Sequence, residues 1–210
     1  MLYFAHRCAC ARRGLRGAAV WLAAASLCLA ATAALAQGDF TIKARHAILV
    51  DAETGSVLFQ HNADELMVPA SMSKLMTLAV VFRALKTGQI KLEDEFLMSE
   101  NAWRRGGGPS GTSAMFVPLG AKAKVDDLLR GIIVQSGNDA AIAVAENMAG
   151  SEEEFAKRMT EEARRIGMPK STFRNATGLF HPEHLMTARE LSIVARHLIR
   201  EYPDFFSIFS

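Results

Sequence analysis

Ser71-Met72-Ser73-Lys74 sets a hydroxyl and an amine three residues apart. On a helix that spacing puts both side chains on one face, with about 5–6 Å between Cβ atoms. Serine is a weak nucleophile until a base takes its proton. Lysine can be that base when burial lowers its pKa. The segment behind it, Leu75 to Phe82, is apolar on nearly every helical face, so Lys74 is expected to be buried. Ser71 also falls in the first turn, where free backbone N–H groups can stabilise an oxyanion. Ser-x-x-Lys alone arises roughly once by chance in a chain of this size. Its weight here comes from context, because the pair opens an apolar helix directly after Pro69-Ala70.

A second candidate, Ser136-Gly137-Asn138, follows between two apolar helical segments. Polar side chains in such a turn must project into a site or find partners. The serine hydroxyl could relay a proton and the asparagine amide could hold a substrate carbonyl. An ordinary inter-helix turn with Ser or Asn as a cap is the competing reading. Ser99-Glu100-Asn101 repeats the Ser-x-Asn pattern, but it reads as a polar loop.

The elements that must position these residues can be read along the chain. His46–Asp51 and Ser56–Gln60, around Glu53-Thr54-Gly55, predict a β-hairpin. A helix is expected from Pro69-Ala70-Ser71 to about Leu85, stopped by Gly88. Residues 90–120 read as irregular, with Arg104–Gly111 as turn material beside a cleft or in a linker. Helices follow over Val125–Val134, Asp139–Met148, Glu152–Ile166 and Ala188–Arg200. The last two open with capping boxes, Ser151-Glu-Glu-Glu154 and Thr187-Ala-Arg-Glu190.

The 210 residues suit one domain. Half are hydrophobic and 22% are charged, a globular composition. Residues 1–36 carry Arg7, Arg12, Arg13 and Arg16 and no acid, then an alanine- and leucine-rich stretch ending Ala34-Leu35-Ala36. This predicts an export signal cleaved near Ala36-Gln37, and a membrane attachment only if it stays uncleaved. The remainder, 37–210, holds 20 bases against 22 acids, so the basic field of a nucleic-acid binder is missing. All three cysteines, Cys8, Cys10 and Cys28, lie before residue 37, which excludes a disulfide scaffold or cysteine-ligated metal in the rest. His181-Pro-Glu-His184 lacks the spacing of a zinc peptidase helix and reads as a loop. Asn175-Ala-Thr177 is a sequon expected to stay bare. Trp103, Met115, Phe116 and Tyr202 read as core or loop packing, and His46, His61 and His197 show no evident partner.

Taken together, Pro69-Ala-Ser-Met-Ser-Lys-Leu-Met-Thr77 and Arg130-Gly-Ile-Ile-Val-Gln-Ser-Gly-Asn-Asp-Ala140 resemble the low-molecular-mass penicillin-binding proteins, serine-type D-alanyl-D-alanine carboxypeptidases. Ser113-Ala-Met-Phe116, Asn175-Ala-Thr-Gly-Leu179 and Thr187-Ala-Arg-Glu190 extend the resemblance from about Lys43 to the end of the chain. It implies an α/β (α+β) β-lactamase/D,D-peptidase, transpeptidase-like fold. It implies Ser71 as the nucleophile toward the D-Ala-D-Ala end of a peptidoglycan stem peptide. Lys74 would be the base, Ser136 a proton relay and Asn138 a holder of the acyl amide. No metal or organic cofactor is implied, and β-lactams would be inhibitors.

The family also carries a Lys-Thr-Gly motif on a strand. Lys86-Thr87-Gly88 has the letters, but it ends the helix that Ser71 begins, about 22 Å away at 1.5 Å per residue. A cation and a glycine there are helix-stop chemistry. In the family the third motif, the other strands and a C-terminal module come later than this sequence runs. The expectation is therefore an incomplete catalytic domain over 37–210, the helical half plus the first hairpin, poorly stable alone. Two other readings stay beside the carboxypeptidase. One is a serine β-lactamase, against which no Glu-x-x-Leu-Asn segment is found. The other is an inactive remnant that binds peptidoglycan or penicillin.

Overall fold

The computed structural model describes residues 42–209. The expected signal over 1–36 lies outside them.

Strands β1 (Ala47–Val50) and β2 (Val57–His61) pair antiparallel, with Ala47 opposite His61 and Leu49 opposite Phe59. The turn is fastened by Asp51, whose carboxylate accepts from the backbone N–H (2.6 Å) and hydroxyl (2.7 Å) of Thr54. Leu49 and Leu58 face solvent.

The next segment differs in one respect from the expected helix. Ala70–Ser73 is a 3-10 turn, and α1 (Lys74–Lys86) begins only at Lys74. The helix is nearly enveloped, as its composition required: Met76, Leu78, Ala79, Val81, Phe82 and Ala84 are all buried. Its buried face belongs to the main core cluster, together with Leu128, Leu129, Val144, Phe155, Met159 and Phe173. Each large apolar side chain so buried contributes about 1.5–3 kcal/mol.

The reading of 90–120 as irregular is corrected. A short ribbon forms from β3 (Glu95–Leu97) and β4 (Lys122–Lys124), Phe96 opposite Ala123. Between its strands runs α2 (Glu100–Gly106). Ser99, read as loop, is its N-cap and accepts the N–H of Ala102 at 2.9 Å. Three-residue strands with at most one buried side chain leave almost no period to read. What the structure keeps irregular is 90–94, 98–99 and 107–121, apart from a 3-10 turn at Gly108–Ser110.

Helices α3 (Val125–Val134), α4 (Asn138–Ala149), α5 (Glu152–Arg165) and α6 (Ala188–Glu201) fall within a residue of their predicted limits. Only half of each capping box forms. Ser151 and Thr187 accept the N–H groups of Glu154 and Glu190. Glu154 itself pairs with Lys157, and Glu190 turns to Lys170 and Ser171. A short α7 (Pro203–Phe206) and a 3-10 turn at Ser207–Phe209 close the described chain. Phe205 and Tyr202 pack their rings on Phe82 at 5.3 and 5.8 Å. From Arg45 onward the chain is one compact unit.

Candidate active site

Ser71 stands exposed on the 3-10 turn, and Lys74 is buried at the first position of α1. At 3.0 residues per turn, positions i and i+3 eclipse one another. The 3-10 geometry therefore aligns the pair more directly than an α-turn would, and Lys74 Nζ lies 3.2 Å from Ser71 Oγ. The turn is under backbone strain, because Ala70 adopts φ +48°.

Two further groups face the amine. Lys74 Nζ donates to Asn138 Oδ1 at 2.7 Å and to the carbonyl oxygen of Thr177 at 2.7 Å. Neither oxygen can donate in return. Lys74 as an ammonium thus has three partners. As a neutral amine it keeps its two donations and turns its lone pair to the Ser71 hydroxyl. Burial favours that neutral form and lowers the Lys74 pKa to about 8. The three facing groups are all uncharged, so burial sets the value.

Asn138 is the first residue of α4 and is buried. Its Nδ2 donates to Thr112 Oγ1 at 3.0 Å, which fixes the amide with Oδ1 toward Lys74. Ser136 sits in the α3–α4 turn, half-buried, with φ +53°. Among the described residues its hydroxyl has no hydrogen-bond partner. The structure thus gathers Ser71, Lys74 and Asn138 into one hydrogen-bond network that does not include Ser136.

Sequence reasoning missed the Thr177 carbonyl as a partner of Lys74. It is presented by an irregular segment, 175–179, that docks on the start of α1. Asn175 folds this segment on itself: Oδ1 accepts from Thr177 N (3.2 Å) and Gly178 N (2.7 Å), and Nδ2 donates to Leu179 O (2.9 Å). The sequon asparagine is thus buried and already committed. Thr77 Oγ1, on α1, donates to Ala176 O at 2.8 Å, and Glu152 accepts the Ala176 N–H at 3.1 Å. Gly178, at φ +82°, comes so close to the 3-10 turn that a Cβ there would lie 1.9 Å from Ala70 O. The one sequence signal was the Asn-Ala-Thr-Gly-Leu resemblance itself, which names no role for a backbone carbonyl.

Other candidates resolve differently. Lys86-Thr87-Gly88 lies at the far end of α1, with Lys86 Nζ on Glu201 O and over the Tyr202 ring. His184 is buried edge-on against Phe173, and its Nδ1 accepts from Arg174 N. Among the described residues no cluster of His, Cys, Asp or Glu is arranged to hold a metal ion. Tyr202 is core, and Trp103 and Met115 pack on the smaller core cluster, whereas the Phe116 ring is 70% exposed. His46, read as unpartnered, reaches Asn62 O at 3.1 Å.

Residues 30–210 match the peptidase family described as D-alanyl-D-alanine carboxypeptidase. The chain belongs to this family. It is 41% identical over 170 residues to D-alanyl-D-alanine carboxypeptidase DacC of Escherichia coli (strain K12), covering 80% of this chain and 42% of that protein. Penicillin binding protein 5 from Haemophilus influenzae superposes with a TM-score of 0.78 at 35% identity, over 82% of this chain and 49% of that one. Penicillin-binding protein D2 from Listeria monocytogenes, solved in a cefotaxime-bound form, gives 0.70 at 29% identity, over 80% and 66%. The fold is that of the penicillin-binding D,D-peptidases. The chain spans less than half the length of the curated relative it matches here.

Proposed function

We propose that the chain acts as an exported serine D,D-carboxypeptidase on peptidoglycan stem peptides ending in D-Ala-D-Ala. The observation that carries this reading is the Lys74 amine, 3.2 Å from Ser71 Oγ and held by two acceptors that leave its lone pair for the hydroxyl. Ser71 Oγ attacks the carbonyl between the two D-alanines, and its proton passes to Lys74. The C–N bond then breaks, and the proton returns to the departing D-alanine amine by way of Ser136. Water hydrolyses the Ser71 ester and frees the shortened peptide. Asn138 holds the acyl amide. General-base assistance of this kind is worth about 10²–10⁴-fold.

Export rests on the arginine-then-apolar pattern of residues 1–36 and the Ala-Leu-Ala triplet, which assign the protein to the periplasm or cell envelope. Among the described residues no helix is long and apolar enough to cross a membrane.

The test is an intact-mass measurement after incubation with penicillin, followed by peptide mapping. A one-to-one adduct on Ser71, absent from Ser71→Ala, is expected, together with D-alanine release from a peptide ending in D-Ala-D-Ala. A folded sample that takes up no label would refute the reading. Fast release of hydrolysed penicillin would assign the chain to the β-lactamases instead.

A further inference from the structure

Asp139 is fully buried in the first turn of α4, one residue after Asn138. Among the described residues it forms no ion pair. Its carboxylate accepts four backbone N–H groups: Met115 (2.8 Å), Phe116 (2.8 Å), Val117 (3.4 Å) and Ala140 (2.9 Å). A buried carboxylate is costly unless such donors satisfy it. Three of the four come from an irregular segment more than 20 residues earlier. Phe116, at φ +64°, is held in a conformation that a bulky residue seldom adopts.

That same segment meets Asn138 at its other end. Asn138 N donates to Ser113 O at 2.8 Å, and Asn138 Nδ2 to Thr112 Oγ1 at 3.0 Å. Thr112 therefore decides which end of the amide faces Lys74. On the opposite side α2 closes down on this point: a Cβ on Gly106 would lie 2.3 Å from Asp139 N.

We infer that Asp139 is a positioning residue for the Ser71–Lys74 pair. Its carboxylate fixes the segment from Thr112 to Val117, the segment fixes the amide of Asn138, and the amide aims Lys74 at Ser71. The inference rests on the reading of Lys74 as the base for Ser71. It gives a use to a buried acid that proton transfer itself does not need.

The experiment is a pH titration of the Lys74 ¹³Cε signal in the full chain labelled with ¹³C-lysine and assigned with Lys74→Arg. Asp139→Asn and Thr112→Val are compared with the unaltered chain. Burial is what lowers Lys74, so a loosened amide that admits water returns it toward the ordinary lysine range. An upward shift on the order of one pH unit is expected in both variants. The double variant should shift no further than Asp139→Asn alone, because both act along one route. Thr112 is exposed, so Thr112→Val should still fold, with only a modest loss of urea stability for the Asn138 donor left unpaired, and it carries the test should Asp139→Asn fail to fold. A midpoint that stays or falls in Thr112→Val overturns the inference. So does a loss of stability in Asp139→Asn with an unmoved midpoint. Penicillin labelling of the unaltered chain is scored separately. No label with a shifted Lys74 midpoint would refute the proposed function and leave the positioning role standing.

Discussion

Lys74 holds its proton weakly because it is buried among uncharged acceptors, and this governs two pH dependences. Acylation of Ser71 by penicillin should rise about tenfold per pH unit below 8 and level off above it, by stopped-flow or quenched labelling. Lys74→Arg keeps a charge that cannot be shed, so above pH 8 the rate should fall by about 10²–10⁴-fold, and the difference should narrow as the pH is lowered. Stability follows by linkage. The folded pKa, about 8, lies below the ordinary 10.5, so the unfolded chain binds more protons between those values. Stability therefore rises as pH climbs from 8 to 10.5, and Lys74→Met should remove that slope in urea titrations. His184 gives the acid counterpart. Burial lowers its pKa from 6.5 to about 4, so its neutral form stabilises the fold above 6.5. That contribution is lost as pH falls toward 4, at up to about 1.4 kcal/mol per pH unit. Denaturation midpoints at pH 7, 6 and 5 should show the loss, and His184→Phe should flatten it.

At the scale of elements, the close seat of the 175–179 segment on the 3-10 turn is the most demanding contact. Gly178→Ala puts a methyl onto Ala70 O in a left-handed conformation, and should cost about 2–4 kcal/mol and most of the acylation rate. Thr187→Ala removes only the cap of α6, at about 1 kcal/mol, with acylation intact. Urea melts and penicillin labelling of both variants check the contrast. The sequence made some of these elements readable and hid others. The hairpin and four long helices announced themselves by alternation, apolar runs, caps and stops. The ribbon of β3 and β4 was too short to carry a period. The 3-10 start of α1 was hidden because an α-turn and a 3-10 turn put the same letters at i and i+3. Ser71, Lys74 and Asn138 were readable because side-chain chemistry is written in residue types. The Thr177 carbonyl was not, since every residue has one. Asp139 left a trace, an acid at the head of an alanine-rich buried helix, whose significance appears only once the Met115–Val117 backbone is seen against it.

Across the whole molecule, stability concentrates where α1 is enclosed. Phe82→Ala removes a fully buried ring that also seats Tyr202 and Phe205, and should cost about 3–5 kcal/mol. Leu58→Thr, on the exposed face of the hairpin, should fall within about 0.5 kcal/mol of the unaltered chain by the same denaturation measurement. The partners of Lys74 lie 64 and 103 residues further along the chain. Closing loops of that length is a late event in folding, because their entropy must be met before the contacts return anything. A chain still emerging or only half collapsed therefore carries an ordinary, solvated lysine and an inert serine. Reactivity toward penicillin would then arrive in a refolding experiment as the last phase, after the helical signal is complete, and the covalent label becomes a clock for the final closure of the fold.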